Sequence, residues 1–179
     1  MKLWLLTLAF VPLGVLQAQT ATTQTPAPEP ATSSKPGFAP LDYFQANCER
    51  CHGPNGTFYG PTFGKNLKND AALRQIVKEM CEGPGQAPLP DPDLEILTDF
   101  HRALRDNKPY ITVVSREKAV LSGEATPDAK ITLESGGKVI AAKLEGHKWS
   151  VEVPADFDLA SAKLRAVKGE VETIVDLAK

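Results

Sequence analysis

Apolar residues recur at helical spacing between positions 40 and 107, then switch to alternation once the chain passes Pro109. Leu41, Phe44 and Cys48 fall on related turns behind Pro40, whose fixed φ suits the first position of a helix. A second helix is predicted from Asn69 or Asp70, either of which can cap it, through the stripe Leu73, Ile76, Val77 and Met80 to a stop at Gly83. A third opens at Asp91-Pro92-Asp93 and carries Leu94, Leu97, Phe100 and Leu104. Arg102 and Arg105 lie in its last turns, where cations favour the helix dipole. Residues 53–68, rich in Gly, Asn and Pro, form the loop between the first two helices.

Beyond Pro109 the short runs Ile111/Val113, Ile131/Leu133, Val139/Ala141, Trp149/Val151/Val153, Leu164/Ala166 and Ile174/Val175 read as strands. Ser135-Gly136-Gly137-Lys138 is a hairpin turn signal and Gly146 is another. Roughly seven short strands in about 70 residues suggest a β-sandwich.

The first residues change the picture. Lys2 precedes an apolar run over residues 3–16, and Leu16-Gln17-Ala18 offers a small residue for cleavage. Pro12 and Gly14 interrupt the run, which is shorter than the roughly 20 residues of a spanning helix. Residues 1–18 are therefore expected to be a signal peptide, and the mature chain to be periplasmic or otherwise extracytoplasmic, without a membrane span. Residues 19–37, dominated by Thr, Ser, Pro, Ala and Gln, read as a linker with too little apolar surface to offset its ordering entropy. A helical domain over 38–108 and a β domain over 109–179 complete the expected organisation. The formal net charge of −2 gives no electrostatic case for binding nucleic acid, and none is expected as a partner. Proteins or small molecules remain as partners.

The chemistry is concentrated in Cys48-Glu49-Arg50-Cys51-His52, a C-x-x-C-H pattern. Two thiols on one turn can each add to a vinyl group of a porphyrin, and the adjacent imidazole can then ligate the iron. The competing readings are a dithiol redox pair or half of a zinc site completed by Cys81 and a histidine. Zinc sites usually present a second close ligand pair, and thioredoxin-like dithiols sit in a βαβ context; the sequence has neither. Covalent attachment of one haem c is the preferred reading, and it leaves Cys81 unpaired in an oxidising compartment.

The stretch Tyr43-Phe44-Gln45-Ala46-Asn47-Cys48-Glu49-Arg50-Cys51-His52-Gly53-Pro54-Asn55-Gly56 resembles the start of class I monohaem cytochromes c, and Gly60-Pro61 resembles the Gly-Pro that follows the motif in that family. The resemblance covers about residues 38–107 and implies an all-α cytochrome c fold. It also implies His52 as an axial iron ligand, Pro61 as carbonyl acceptor for that histidine, and Phe44 packed against the last helix around Leu97 and Phe100. Family members usually carry Gly-x-x-x-Met-Pro before the last helix, with the methionine as sixth ligand. Here that segment reads Gly83-Pro84-Gly85-Gln86-Ala87-Pro88, with alanine in the methionine's place. Met80 is the first alternative ligand, against a reading as a core residue that continues the stripe of Leu73, Ile76 and Val77. Cys81 is the second, against a reading as a small buried hydrophobe. An iron left open or bound to water is the remaining option. Surface or capping roles suit His101 and His147.

In the second half, Leu121-Ser122-Gly123-Glu124-Ala125-Thr126-Pro127-Asp128-Ala129-Lys130-Ile131-Thr132-Leu133 and Trp149-Ser150-Val151-Glu152-Val153-Pro154 resemble bacterial immunoglobulin-like modules. That implies a small all-β immunoglobulin-like sandwich with Trp149 as a core anchor and a spacing or docking role. The charged residues there read as a solvated sheet face. The whole is expected to be an exported electron carrier, or the electron-transfer subunit of a larger oxidoreductase, passing single electrons between protein partners. The alternative is a haem enzyme or enzyme subunit with an open or Cys81-ligated iron, acting on peroxide, a small gas or an inorganic sulfur compound.

Overall fold

The computed structural model describes residues 37–178 apart from 61, 65, 68 and 118. The expected signal peptide, nearly all of the linker and Pro61 lie outside the described residues.

Helix α1 spans Pro40–Asn47 and α2 spans Glu49–His52, with Cys48 as the break between them. A 3-10 segment follows over Pro54–Tyr59. Helix α3 covers Asp70–Glu82, and its N-cap is Asn69, whose side-chain oxygen accepts from the Ala71 N–H. Gly83 closes it, donating its N–H to the Glu79 carbonyl. Helix α4 runs Asp91–Arg105, with Pro92 in its first turn. Leu41, Phe44, Leu73, Val77, Cys81, Leu94, Leu97 and Phe100 form the core of this half. Phe44 meets Phe100 edge-on, with ring centroids 5.2 Å apart. Across the solvent side, Arg102 and Arg105 of α4 pair with Asp70 of α3, and Arg74 pairs with Asp91 and Glu95.

The change from helix to strand falls between Arg105 and Ile111. Eight strands follow: β1 Ile111–Glu117, β2 Val120–Ala125, β3 Lys130–Ser135, β4 Lys138–Ala141, β5 Lys143–Glu145, β6 Lys148–Glu152, β7 Lys163–Lys168 and β8 Val171–Asp176. They form two antiparallel sheets, ordered β1-β2-β6-β5 and β4-β3-β7-β8. Leu121, Trp149 and Val151 from the first sheet share one core with Leu133, Leu164 and Ala166 from the second. The Trp149 ring is buried, and its N–H donates to the Thr112 and Glu124 carbonyls. The β1–β2 register shifts between Val113 and Ser115, opposite Gly123. A Cβ on Gly123 would lie 1.9 Å from the Thr112 carbonyl oxygen, so only glycine permits this approach.

The fold class predicted from the sequence is corrected here. The described residues hold four short α-helices and two four-stranded antiparallel sheets, a mixed α and β architecture, not an all-α cytochrome c fold followed by an immunoglobulin-like sandwich. The physical reason lies in the helices. Two of them have 8 and 4 residues, too short to persist without outside support. Part of that support comes from the sheet. Ala39 provides no side-chain cap for α1, and Glu124 of β2 accepts the Leu41 and Asp42 N–H groups at 2.6 and 3.0 Å. Tyr110, just before β1, belongs to the helical core and meets Phe100 at 5.5 Å.

Candidate functional site

Cys48 ends α1, donating its N–H to the Phe44 carbonyl at 2.8 Å, and its own carbonyl accepts from both Cys51 and His52. The chain therefore turns once and places two thiols and an imidazole on a single short helical turn. Gly53 ends that turn at φ 73°, a region that side chains rarely adopt. A Cβ there would lie 2.6 Å from the Phe58 ring. All three cysteines are free thiols: Cys48 is half-buried, Cys51 exposed and Cys81 buried. Burial pushes the Cys48 thiol up to about 11, and proximity to Cys81 and Cys51 acts in the same direction.

Behind His52 lies a column of rings. Tyr59 stacks on the imidazole, with centroids 4.6 Å apart and planes 30° from parallel. Phe63 covers the Tyr59 ring at 4.2 Å and 20°. The Tyr59 hydroxyl lies 3.0 Å from His101 Nε2, and His101 Nδ1 lies 2.9 Å from the Leu97 carbonyl. A carbonyl can only accept, so Nδ1 carries the proton. Burial drives the His101 pKa down to about 4, so the ring is neutral and the Tyr59 hydroxyl donates to Nε2. His101 is thus a buried polar bridge, not the surface or capping residue that the sequence suggested.

The candidate sixth ligands separate on α3. Its buried face is Leu73, Val77 and Cys81, while Met80 and Ile76 are 45% and 37% exposed. Met80 is therefore not the core residue that its stripe implied, and Cys81 is. The segment where a methionine was expected folds back over the end of α3. The Ala87 N–H donates to the Cys81 carbonyl, and the Ala87 carbonyl accepts from the Tyr43 hydroxyl. The hydrogen bond suggested for Pro61 lies outside the described residues.

Sequence reasoning missed one cluster. Asp42, Glu124 and His147 bring potential metal-ligating atoms within 4.8 Å of one another. These atoms already have partners. His147 Nε2 lies 2.7 Å from Asp42, the Lys148 ammonium lies 2.8 Å from Asp42, and both Glu124 oxygens accept N–H groups of α1. The arrangement clamps the helices to the sheet. Burial raises the Glu124 pKa, against the pull of the Leu41 and Asp42 amides. The only forewarning in the sequence is that Ala39 cannot cap α1 itself.

A cleft of about 560 Å³ lies elsewhere, lined by Ile96, Ala103, Tyr110, Val113, Val175 and other residues of α4, β1 and β8; none of the site residues named from the sequence borders it. Among the described residues no helix is long and apolar enough to cross a membrane. Compared with known proteins, the chain matches no family, no curated protein and no solved structure.

Proposed function

We propose that the chain is an exported monohaem electron-transfer protein, with haem c held by thioethers at Cys48 and Cys51 and by the His52 imidazole. The observation that carries this reading is the single short turn on which two free thiols precede a histidine, closed by a glycine with no room for a side chain. The donor set suits the group: two unpaired sulfurs for its vinyl carbons and one imidazole for its iron. Phe58, whose ring lies beside Gly53, is a large apolar side chain left exposed next to that turn, the kind of surface that a flat apolar macrocycle would cover.

When bound, haem would supply a one-electron couple whose potential depends on its axial ligands and on exclusion of water. The protein's part is to hold and to shield. Cys48 and Cys51 fix the attachment turn, His52 offers its imidazole, and Phe44, Tyr59 and Phe63 keep the proximal side apolar. Met80, partly exposed on α3, would be the second residue to hold the iron in preference to Cys81, which is packed in the core. Exposed Cys51 places the attachment turn at the surface, where a redox partner protein can dock.

The test is intact-mass spectrometry on full-length protein exported by a host that matures c-type haem. One added haem per chain is expected, and its loss from the Cys48→Ala/Cys51→Ala double variant. A wild type without the added mass overturns the proposal. A ferrous low-spin spectrum that is lost in Met80→Ala is expected; a high-spin wild-type spectrum would instead favour an enzyme with an open iron site.

A further inference from the structure

We infer that Tyr59 is the positioning residue for His52, a platform that fixes the rotation of the imidazole plane about its bond to the iron. The inference rests on the haem reading above and concerns this chain's own residues.

Three contacts immobilise the Tyr59 ring. The hydroxyl is anchored to buried His101 Nε2, and His101 is anchored in turn by the Leu97 carbonyl of α4. Phe63 covers the ring's face at 4.2 Å. Its edge fits against Gly56, where a Cβ would come within 2.8 Å of the ring, so this glycine's bare backbone is part of the seat. The platform thereby inherits the rigidity of α4, although Tyr59 itself sits at the end of a 3-10 segment.

His52 lies on that platform face to face, 4.6 Å away. A stacked contact uses the face of the imidazole and leaves the nitrogens on its edge free to ligate or donate. Turning the ring about an axis through its ligating nitrogen would lift one side off the tyrosine, so stacking resists that rotation. Metal-bound histidines are usually oriented by a hydrogen bond to the second ring nitrogen. Here a ring contact adds its own restraint on the imidazole plane, and α4 supports it at a distance. Orientation of an axial imidazole sets the splitting of the iron d orbitals, which paramagnetic resonance reads directly.

The experiment uses full-length, haem-matured protein in two arms. In ferrous wild type, nuclear Overhauser contacts between the Tyr59 and His52 ring protons are expected. Tyr59→Leu is expected to shift the ferric g-values and the midpoint potential, and Tyr59→Phe, which keeps the ring, to restore the g-values. The absence of ring–ring contacts in haem-loaded wild type overturns the inference even if Tyr59→Leu fails to fold. So does a folded, haem-loaded Tyr59→Leu protein with wild-type g-values. Neither result touches the haem reading; a wild type that gains no haem mass overturns both.

Discussion

Replacing Glu124 tests the junction between helices and sheet most directly. Its carboxylate receives two backbone donors of the first turn of α1, which has no side-chain cap of its own. The Leu41 bond is buried, and without an acceptor that N–H costs about 2–3 kcal/mol. The Asp42 bond is only partly buried, so water recovers part of the loss and about 1 kcal/mol remains. Relief from burying a charge returns about 1 kcal/mol, in keeping with the raised pKa of the group. Glu124→Ala should therefore destabilise by about 2–3 kcal/mol. Glu124→Gln, which keeps one acceptor but turns an NH2 toward the other donor, should cost about 1–2 kcal/mol. Urea denaturation supplies the energies, with Glu145→Ala as an exposed control expected to leave the urea midpoint nearly unchanged. Amide exchange gives the local signature: Leu41 and Asp42 should lose protection before the β core does. An alanine variant within about 1 kcal/mol of wild type, with both amides still protected, would show that the cap is unimportant.

Two further outcomes follow from the fold. The His101 pKa of about 4 lies below its ordinary value, so the unfolded chain binds the proton better. Its stabilising contribution is complete above about pH 6.5 and falls as acidity increases toward pH 4, a loss of about 2 kcal/mol by pH 5; urea midpoints at pH 7.5 and 5.0 should therefore diverge more in wild type than in His101→Gln, and equal divergence would refute the assignment. Gly123→Ala should cost about 3 kcal/mol or more, because its Cβ would meet backbone atoms of β1, which cannot swing aside. A thermal midpoint unchanged by that substitution would mean that β1 shifts freely.

Local structure was legible where it depended on local chemistry. Asn69 caps α3, Gly83 ends it, and Pro92 lies in the first turn of α4, because caps and prolines act within one turn. Cys48, Cys51 and His52 share one turn because their spacing leaves little choice. Long-range partners were not legible. Glu124 sits in a run of alternating apolar and polar residues that looks like a wet sheet face, yet Gly123, Glu124 and Ala125 are all buried where α1 docks. His101 looked like a surface residue because nothing near it in sequence announces Tyr59. Of the two readings of Met80, as ligand or as core, only the core one is answered: the residue continues the stripe of α3, but the helix turns Cys81 inward and leaves Met80 partly exposed. The all-α expectation failed for the same cause, since it took from local resemblance a helical core whose first helix leans on a strand.

The distance along the chain between α1 and its cap has a consequence for the order of events. Glu124 is 83 positions after Leu41, so as the polypeptide emerges, Cys48 and Cys51 precede by a long way the residue that completes their supporting helix. Closing so large a loop is slow compared with forming a helical turn. On the proposed haem attachment, a maturation enzyme acting on Cys48 and Cys51 would meet a pliable segment, and the late arrival of one carboxylate would lock it afterwards.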